Sequence, residues 1–339
     1  MPAVTIRDVA RHAGVSIATV SRVHRGSSAV TDPTRRRVEA AIAELRYTPS
    51  RLGRSLAERR HQAMGIVFPD LAGPYFSEVI SGFESVAGDD EHGVLILSTH
   101  GREAAAERAR DLASRVDGLL ILGRTVTDAV ISELCGRGVP VVLLARPPVA
   151  GADVVRSENR RSAARLTGHL IDRHGHTRIT FLGDPASSPD GAERWEGFVS
   201  AYRTRELPAP GAPVPSRYRE EEGYAAALTT LGGTERPTAL FCANDEIALG
   251  AYRAVVELGL GVGTTVAITG WDDVPAARYV SPGLTTVRQP MRELGIRAAR
   301  ALHSRIHGGS RPPLHEVLPT QLVIRASCGC RRTEGEDNQ

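Results

Sequence analysis

The sequence predicts two joined parts: a small all-α helix-turn-helix head and an α/β body of two doubly wound parallel-sheet subdomains. Residues 1–60 carry 12 arginines against 5 acidic residues, a net charge of +7, whereas the other 279 residues are close to neutral. Apolar residues in the head recur at helical spacing. After residue 62, short continuous apolar runs alternate with amphipathic helical stretches, which is typical of parallel strands buried on both faces.

Composition excludes several classes of protein. The chain has 339 residues, of which 41% are hydrophobic and 24% charged, with 4 cysteines, so it is not a disordered, collagen-like or disulfide-stapled chain. No apolar run approaches the roughly 20 residues that a membrane span needs. The first 30 residues are charged throughout, so we expect no secretory signal, no membrane partner and a cytoplasmic location. Every basic residue is arginine, so guanidinium groups must make any cationic contact with a polyanion.

Three helices are predicted in the head. Thr5 can cap the first, Gly14 permits a sharp corner, and Ser16 can cap the second, whose Val20 and Val23 face inward. A third helix spans about residues 32–45. An ordinary three-helix bundle is the alternative, but the positive charge and the small polar residues on the second helix favour a DNA-binding helix-turn-helix.

Several motifs of this segment resemble the head of the LacI/GalR family of bacterial transcription regulators. The matching motifs are Asp8-Val9-Ala10, Ala13-Gly14-Val15-Ser16, Thr19-Val20-Ser21-Arg22-Val23, Thr34-Arg35, Tyr47-Thr48-Pro49 and Arg54-Ser55-Leu56-Ala57. Their spacing matches without gaps over about 57 residues. The resemblance implies a homodimer that binds a pseudo-palindromic operator in double-stranded DNA.

The resemblance also assigns roles to residues of the head. Ile17, Ala18 and Arg22 would read base edges in the major groove, where arginine can grip guanine with two hydrogen bonds and apolar side chains can touch a thymine methyl group. Phosphates would be held by Thr5, Ser16, Thr19, Ser21 and Thr34. The chain has His24-Arg25-Gly26 where the family usually has Asn followed by Gly. Arg25 therefore either adds a phosphate or base contact or is merely solvated.

Residues 49–61 would form the family's hinge helix. The residue matching Leu56 wedges into the minor groove at the operator's centre, which costs a few kcal/mol that contacts on the bent duplex recover. Gly53 stands where the family usually has alanine, which costs roughly 1 kcal/mol of helix propensity. The alternative is that this segment is only an arginine-rich linker.

The body contains seven predicted strands, at residues 65–68, 94–97, 118–122, 139–144, 178–182, 238–242 and 266–269. They fall into two series, about 64–156 and 160–285, each with helical stretches between its strands. Two late segments, 284–290 and 317–322, are expected to cross back between the subdomains. Ligands in such folds bind outside the carboxyl ends of the strands.

The body resembles the same family's periplasmic-binding-protein-like (type I) core, so the similarity covers about residues 3–326. Its landmarks include Pro74-Tyr75-Phe76, Ala243-Asn244-Asp245 and Gly270-Trp271-Asp272-Asp273. The implied organisation is a DNA-binding domain (1–48), a hinge (49–61), an effector-binding and dimerisation domain (62–330) and a polar tail (331–339). Its N-subdomain would comprise about 62–159 and 290–318, and its C-subdomain about 160–287 and 320–330.

Eight residues match effector-binding positions of the family: Tyr75, Phe76, Arg146, Arg194, Tyr218, Asn244, Asp272 and Gln289. Aromatic faces stack on a sugar or a base, and guanidinium, amide and carboxylate groups suit a polyhydroxylated ligand. Alternatively, Asp272 caps a turn and Arg194 pairs with Glu193 or Glu196 in solvent. The chain has Ala145-Arg146 where the family often has Asp-Arg, which removes one acceptor.

We therefore expect a repressor of a carbohydrate-utilisation operon that a sugar releases from DNA. The alternatives are a corepressor-type regulator that responds to a nucleobase or other metabolite, and a cytosolic sugar-binding protein without a DNA role. An enzyme is disfavoured, because the glycines at 259–263 lie between a helix and a strand, the wrong order for a phosphate loop. No Gly-x-Ser-x-Gly motif is present.

No cofactor and no metal site are expected. His169, His174 and His176 have no other ligand type spaced with them along the chain. Cys328-Gly329-Cys330 has no companion pair of cysteines near it in the sequence.

Overall fold

The computed structural model describes residues 4–24, 26, 28–47, 61–99, 103–308 and 311–330. The chain forms two compact units, Met1–Gln62 and Ala63–Gln339. Arg25, most of the predicted hinge with Gly53 and Leu56, and the tail lie outside the described residues. Among the helices of the described ranges, none is long and apolar enough to cross a membrane.

The first unit contains the predicted helix-turn-helix. Its helices, numbered in chain order, are α1 (Ile6–Ala13), α2 (Ile17–His24) and α3 (Asp32–Glu44). One valine from each helix, Val9, Val20 and Val38, is almost completely buried in a shared core. Gly14 ends α1 with a φ of +62°, in the left-handed region that glycine adopts without strain. The buried valines therefore fix which face of α2 remains outside.

The second unit contains two lobes, and the first is built on a six-stranded parallel sheet with strand order β10-β5-β4-β3-β1-β2. The strands are β1 (Ala63–Phe68), β2 (Gly93–Ser98), β3 (Gly118–Leu122), β4 (Val141–Leu144), β5 (Asp153–Ser157) and β10 (His315–Leu318). One face is covered by α4 (Pro74–Asp89) and α12 (Met291–His307), and the other by α5 (Ala105–Ala113) and α6 (Asp128–Gly136).

The second lobe has a three-stranded parallel sheet, β6 (Ile179–Leu182), β7 (Ala239–Cys242) and β8 (Ala267–Thr269). Its helices are α7 (Arg160–His174), α8 (Pro189–Arg203), α9 (Glu220–Gly232), α10 (Asp245–Glu257) and α11 (Ala276–Tyr279). A separate antiparallel pair joins β9 (Thr286–Arg288) to β11 (Gln321–Val323), and a short 3₁₀ helix follows at Ala326–Cys328. The predicted fold class, a helical head followed by an α/β body with parallel sheets, is confirmed.

The chain passes between the lobes three times: from β5 into α7, from β9 into α12, and from β10 into β11. The last two passages are the late crossings that the sequence predicts. Strand β5 was missing from the prediction, because Asp153 and Arg156 interrupt its apolar run. Asp153 is nevertheless buried, since Arg305 and Arg311 each donate a hydrogen bond to it, at 2.7 Å and 2.5 Å.

Helices α4 and α12 meet at two glycines whose backbones touch the opposite helix. A Cβ on Gly295 would lie 2.1 Å from the carbonyl oxygen of Val79, and one on Gly82 would lie 2.0 Å from that of Arg292. We expect Gly295→Ala to lower the free energy of unfolding by about 1–3 kcal/mol in urea denaturation, because the two helices must separate. Gly136→Ala, with no described atom within 4 Å of its new methyl group, is the control and should not destabilise the protein. Equal stability of the two variants would contradict this packing.

Candidate DNA-reading helix and effector site

The residues predicted to read DNA bases share one exposed face of α2. Ile17 is 44% exposed although it is a large apolar residue, and Ala18 and Arg22 are exposed beside it. Val20 and Val23 lie on the opposite, buried face. Positions three or four apart lie on one side of a helix, so Val20 and Val23 share the buried side, Ala18 and Arg22 share the exposed side, and Ile17 lies next to Ala18 at its edge. Their contacts with DNA stay predictions.

Hydroxyl groups lie at the start of each helix of the head. Ser16 Oγ accepts a hydrogen bond from the Thr19 backbone N–H at 3.2 Å and lies 2.9 Å from Thr19 Oγ1. The Thr5 hydroxyl and backbone N–H donate to Asp8 at 2.7 Å and 3.0 Å, which lowers the pKa of that carboxyl. Thr34 accepts from Thr31 at 3.1 Å. Helix N-termini with hydroxyl groups are suited to phosphate oxygens, which is the role predicted for Thr5, Ser16, Thr19 and Thr34 and, within α2, for the half-buried Ser21.

The centre of the candidate effector site is Arg194, on α8 of the second lobe. It is only 4% exposed, and its guanidinium lies over the ring of Trp271, 4.7 Å from the ring centroid. Its Nε donates to Asn159 Oδ1 at 2.9 Å and its Nη1 to the Ala243 carbonyl at 2.7 Å. The alternative pairing of Arg194 in solvent is wrong. Glu193 and Glu196 instead pair with two other arginines, Arg156 and Arg160.

Two buried carboxyl groups flank this guanidinium. Asp190, one helical turn earlier, places Oδ2 3.8 Å from Arg194 Nη2. Asp272 follows β8, is 5% exposed, and accepts a 2.6 Å hydrogen bond from Gln289 Nε2. Burial raises the pKa of Asp272 to about 7 and also raises that of Asp190, while Arg194 opposes both shifts. Asp272 thus faces buried polar partners, which disfavours the turn-capping alternative.

Three buried polar atoms of the site have no hydrogen-bond partner among the described residues. They are the Tyr75 hydroxyl, Trp271 Nε1 and Gln289 Oε1. Burial raises the pKa of Tyr75, and the nearby carboxyl groups of Asp190 and Asp272 raise it further. Tyr75 follows β1 of the first lobe, whereas the two carboxyl groups belong to the second, so the site is shared between the lobes. Because buried polar groups are nearly always paired, these atoms are suited to hydrogen-bond a bound molecule.

Aromatic and amide groups complete the surroundings of this cluster. Phe76 packs edge-on against the ring of Tyr75, with centroids 5.4 Å apart. The Tyr218 hydroxyl donates to the Asp184 carbonyl at 3.4 Å, and burial raises its pKa. Asn244 uses both ends of its amide within the protein: Oδ1 accepts from the first turn of α10 at 3.0 Å, and Nδ2 donates to the Tyr218 carbonyl at 3.4 Å. Asn244 thereby positions Tyr218.

Arg146 lies apart from these contacts, at the carboxyl end of β4. Its Nη1 donates to the carbonyls of Gly123 at 2.8 Å and Val126 at 3.1 Å, and its Nη2 pairs with Asp128. It lines a cavity of about 470 Å³ that is bordered by the loops after β2, β3 and β4. Its described partners all belong to the first lobe.

Direct contacts join the two lobes beside the site. Arg124 of the first lobe donates to the Ala186 carbonyl of the second at 2.9 Å. Arg219 of the second lobe forms an ion pair with Asp70 of the first. These two contacts therefore link the lobes directly.

Three residues of the site were not predicted as binding residues: Asn159, Asp190 and Trp271. Trp271 lies directly before Asp272, and Asp190 lies four residues before Arg194, so both sit on the same local structure as a predicted residue. That helical spacing is the signal that could have found Asp190. Asn159 touches Arg194 only through the tertiary fold.

The raised pKa of Asp272 predicts a pH-dependent stability. Between the unfolded value near 4 and the folded value of about 7, the folded protein holds more protons than the unfolded chain, so stability falls as pH rises through this window. Asp272→Asn should reduce this fall. Asp190, whose pKa is also raised by burial, remains in both proteins. The pKa of Asp245 is raised by burial and then by the Asp272 carboxyl, so Asp272→Asn lowers it too, which reduces the fall in stability further in the same direction. Urea denaturation at several pH values measures the free energy of unfolding of both proteins. If this free energy depends on pH in the same way in both, the raised pKa of Asp272 is contradicted.

Comparison with known proteins places both units in one family. Residues 5–50 match the family of bacterial regulatory proteins called the lacI family, and residues 167–328 match a periplasmic binding protein-like domain. The chain is 34% identical over 308 residues to the HTH-type transcriptional repressor PurR of Proteus mirabilis (strain HI4320), covering 89% of this chain and 90% of that protein. It is also 34% identical to PurR of Yersinia pestis (strain Pestoides F), over 95% of this chain and 96% of that protein.

Solved structures are similar over nearly the whole chain. The Lac repressor dimer bound to operator and the anti-inducer ONPF has a TM-score of 0.82 at 30% identity, covering 96% of this chain and 99% of that one. A complex of the transcriptional regulator CelR with cellobiose has a TM-score of 0.72 at 29% identity, with the same coverage. The chain therefore belongs to the LacI family of bacterial regulatory proteins and is a DNA-binding transcriptional regulator, not an enzyme.

Proposed function

We propose that this protein is a homodimeric repressor that a sugar releases from its operator. Each head binds one half of a pseudo-palindromic site in cytoplasmic DNA, with the exposed face of α2 in the major groove. The hinge pair places Leu56 of each subunit near the centre of the site. The effector binds between the lobes of the body.

The observation that carries the effector site is the buried polar cluster around Arg194. A guanidinium, two carboxyl groups and three polar atoms that have no hydrogen-bond partner among the described residues are buried beside aromatic rings. Burying such groups is costly unless a partner satisfies them, so the cluster is suited to a small polar ligand.

The mixture of groups favours a sugar. Hydroxyl groups both donate and accept hydrogen bonds, so a polyol can satisfy the carboxyl groups of Asp190 and Asp272 and the donors of Tyr75 and Trp271 at once. The faces of Tyr75 and Phe76 offer apolar contact to a sugar ring. Similarity to the CelR structure, which holds cellobiose, supports this class of ligand.

A nucleobase that strengthens DNA binding is the second candidate. Tyr75 and Phe76 can also contact the flat face of a base. Asp272, with its pKa raised to about 7, and the amide of Gln289 together offer the donors and acceptors that the edge of a base requires. In this case the effector would be a corepressor.

Either effector acts only through a difference in its affinity for the DNA-bound and the released forms. Coupling between two such sites is typically about 1–3 kcal/mol, a factor of roughly 5–150 in operator affinity. The direction of the change distinguishes release by a sugar from corepression by a base.

The experiment selects genomic DNA fragments with the purified full-length protein and then titrates the selected site with a panel of sugars and nucleobases. Loss of DNA binding with one sugar supports the proposal, and tighter binding with a nucleobase supports the second candidate. Calorimetry on the same protein checks that the active compound binds with one site per chain. Recovery of no sequence under any of these conditions would contradict the operator-binding role.

A further inference from the structure

Four metal-ligating side chains converge in the second lobe, away from the effector site. His169 and His174 lie in the last part of α7, and Cys328 and Cys330 lie in the segment that follows β11. One ligand atom from each of the four lies within 4.8 Å of the others. The opposite end of α7 begins after Asn159 at the effector site. At the rise of an α-helix, His169 lies about 15 Å along the helix from that end.

The spacing of these atoms matches a tetrahedral zinc site. Zinc–sulfur bonds of about 2.3 Å and zinc–nitrogen bonds of about 2.0–2.1 Å place neighbouring ligand atoms roughly 3.3–3.8 Å apart. Cys330 Sγ lies 3.6 Å from His169 Nε2 and 3.3 Å from His174 Nε2. Cys328 Sγ lies 3.4 Å from His169 Nε2. His169 therefore presents Nε2 to both thiols and His174 presents Nε2 to that of Cys330, while the ligand atoms of the remaining pairs lie within 4.8 Å of one another.

The surrounding backbone and side chains hold this arrangement. Gly329, between the two cysteines, has a φ of +97°, where a side chain would be strained. A Cβ at this position would lie 3.2 Å from the Gly263 carbonyl and 3.3 Å from His174 Nδ1, so glycine allows the turn to approach the histidine. Thr285 Oγ1 donates a 3.2 Å hydrogen bond to Cys328 Sγ, the kind of outer contact that orients a metal ligand.

We propose that His169, His174, Cys328 and Cys330 bind one zinc ion in a closed Cys₂His₂ site. The two thiols lose their protons to solvent on binding, and the resulting thiolates balance the charge of the ion. Four protein ligands leave no open position, so the ion is structural rather than catalytic. It fastens the segment after β11 to α7 and thereby secures the last passage of the chain between the lobes.

The sequence did not predict this site because its ligands form two pairs that are more than 150 residues apart, as His169 and Cys328 are. A helix and a distant carboxyl-terminal segment must pack together before either pair has partners. His176 belongs to the same histidine-rich stretch but is turned to Thr238, whose Oγ1 lies 3.0 Å from its Nδ1. It is thus a natural control.

The test measures zinc bound to the full-length protein after expression in zinc-supplemented medium without a histidine tag. We expect one zinc per chain by elemental analysis, and a tetrahedral Co²⁺ absorption spectrum after exchange. Cys330→Ser and His174→Gln should each lower the affinity for zinc by more than about 10-fold. Loss of an outer contact to a metal ligand already costs about 10- to 100-fold, and these variants change a ligand itself. His176→Gln should keep the full zinc content.

Stability gives a second measurement that does not depend on the variants folding well. Chelation should lower the Tm of the wild-type protein, and added zinc should restore it, because an ion that binds only the folded state stabilises it. Wild-type protein that holds no zinc, shows no Co²⁺ spectrum and keeps its Tm under chelation would overturn the proposal. A Cys328–Cys330 disulfide found by intact mass in freshly purified protein would also overturn it.

Discussion

Arg22→Ala is expected to weaken operator binding by about 1–3 kcal/mol, roughly 5- to 150-fold, while reducing binding to random DNA far less. Arg22 is exposed on α2, on the same face as Ile17 and Ala18. A guanidinium placed there can make two hydrogen bonds to the edge of a guanine, and the alanine variant leaves that edge without its partner. Competition binding at fixed salt, with operator and with scrambled DNA, measures both affinities.

Arg11→Ala is the matched control for the loss of one positive charge. Arg11 is also in the head, on α1, but its side chain is 80% exposed and paired with Asp8. The loss of a phosphate contact or of a positive charge weakens binding to every DNA sequence alike. Arg11→Ala should therefore weaken the affinity for operator and for scrambled DNA by the same factor. If Arg22→Ala also weakens both DNAs by one common factor, Arg22 does not read a base.

Arg194→Gln is expected to greatly reduce the response at effector concentrations that just saturate the wild-type protein, while the effector-free protein still binds its operator. Hydrogen bonds from a charged group contribute about 1.5–3 kcal/mol, so effector affinity should fall at least about 10- to 100-fold. The variant also removes the cation that opposes the raised pKa values of Asp190 and Asp272. Calorimetric titration with the effector, together with operator binding at saturating effector, measures the two effects separately.

Arg253→Gln is a close control in the same lobe. Its guanidinium also lies over an aromatic ring, 3.9 Å from the centroid of Tyr224, but the side chain is 54% exposed. We expect unchanged effector affinity in this variant. An effector response in Arg194→Gln as strong as in Arg253→Gln would exclude the buried cluster as the binding site.

Local patterns were sufficient to predict most of the fold. Continuous apolar runs such as those of β1 and β3 are strands buried on both faces, and the valines of the head lie in its core as helical spacing requires. Strand β5 was missed because its buried Asp153 depends on Arg305 and Arg311, arginines about 150 residues away. Pairing between distant segments has no local signal in a single sequence.

In the candidate site, too, local motifs predicted some residues, whereas residues that meet only through the tertiary fold were missed. Arg194, Asp272 and Tyr75 were found because each belongs to a short motif. The structure buries Arg194 and Asp272, and the half-buried Tyr75 lies near them with its hydroxyl buried. Arg146 was predicted beside them, but its guanidinium turns to the carbonyls of its own lobe. Whether Arg146 turns towards the site or towards the carbonyls of its own lobe depends on the loop after β3, and a sequence motif does not encode the backbone conformation of that loop. Asn159 and the histidine–cysteine cluster likewise required the tertiary fold.

The most direct test of the account measures the affinity of the full-length protein for its selected operator with and without the effector. At an effector concentration that just saturates the wild-type protein, that affinity should change by a factor of roughly 5–150 in the wild-type protein and by far less in Arg194→Gln. For a sugar we expect weaker operator binding. An operator affinity that is the same at zero and at saturating effector, for a compound that calorimetry shows to bind, would contradict the central claim that the body controls the head.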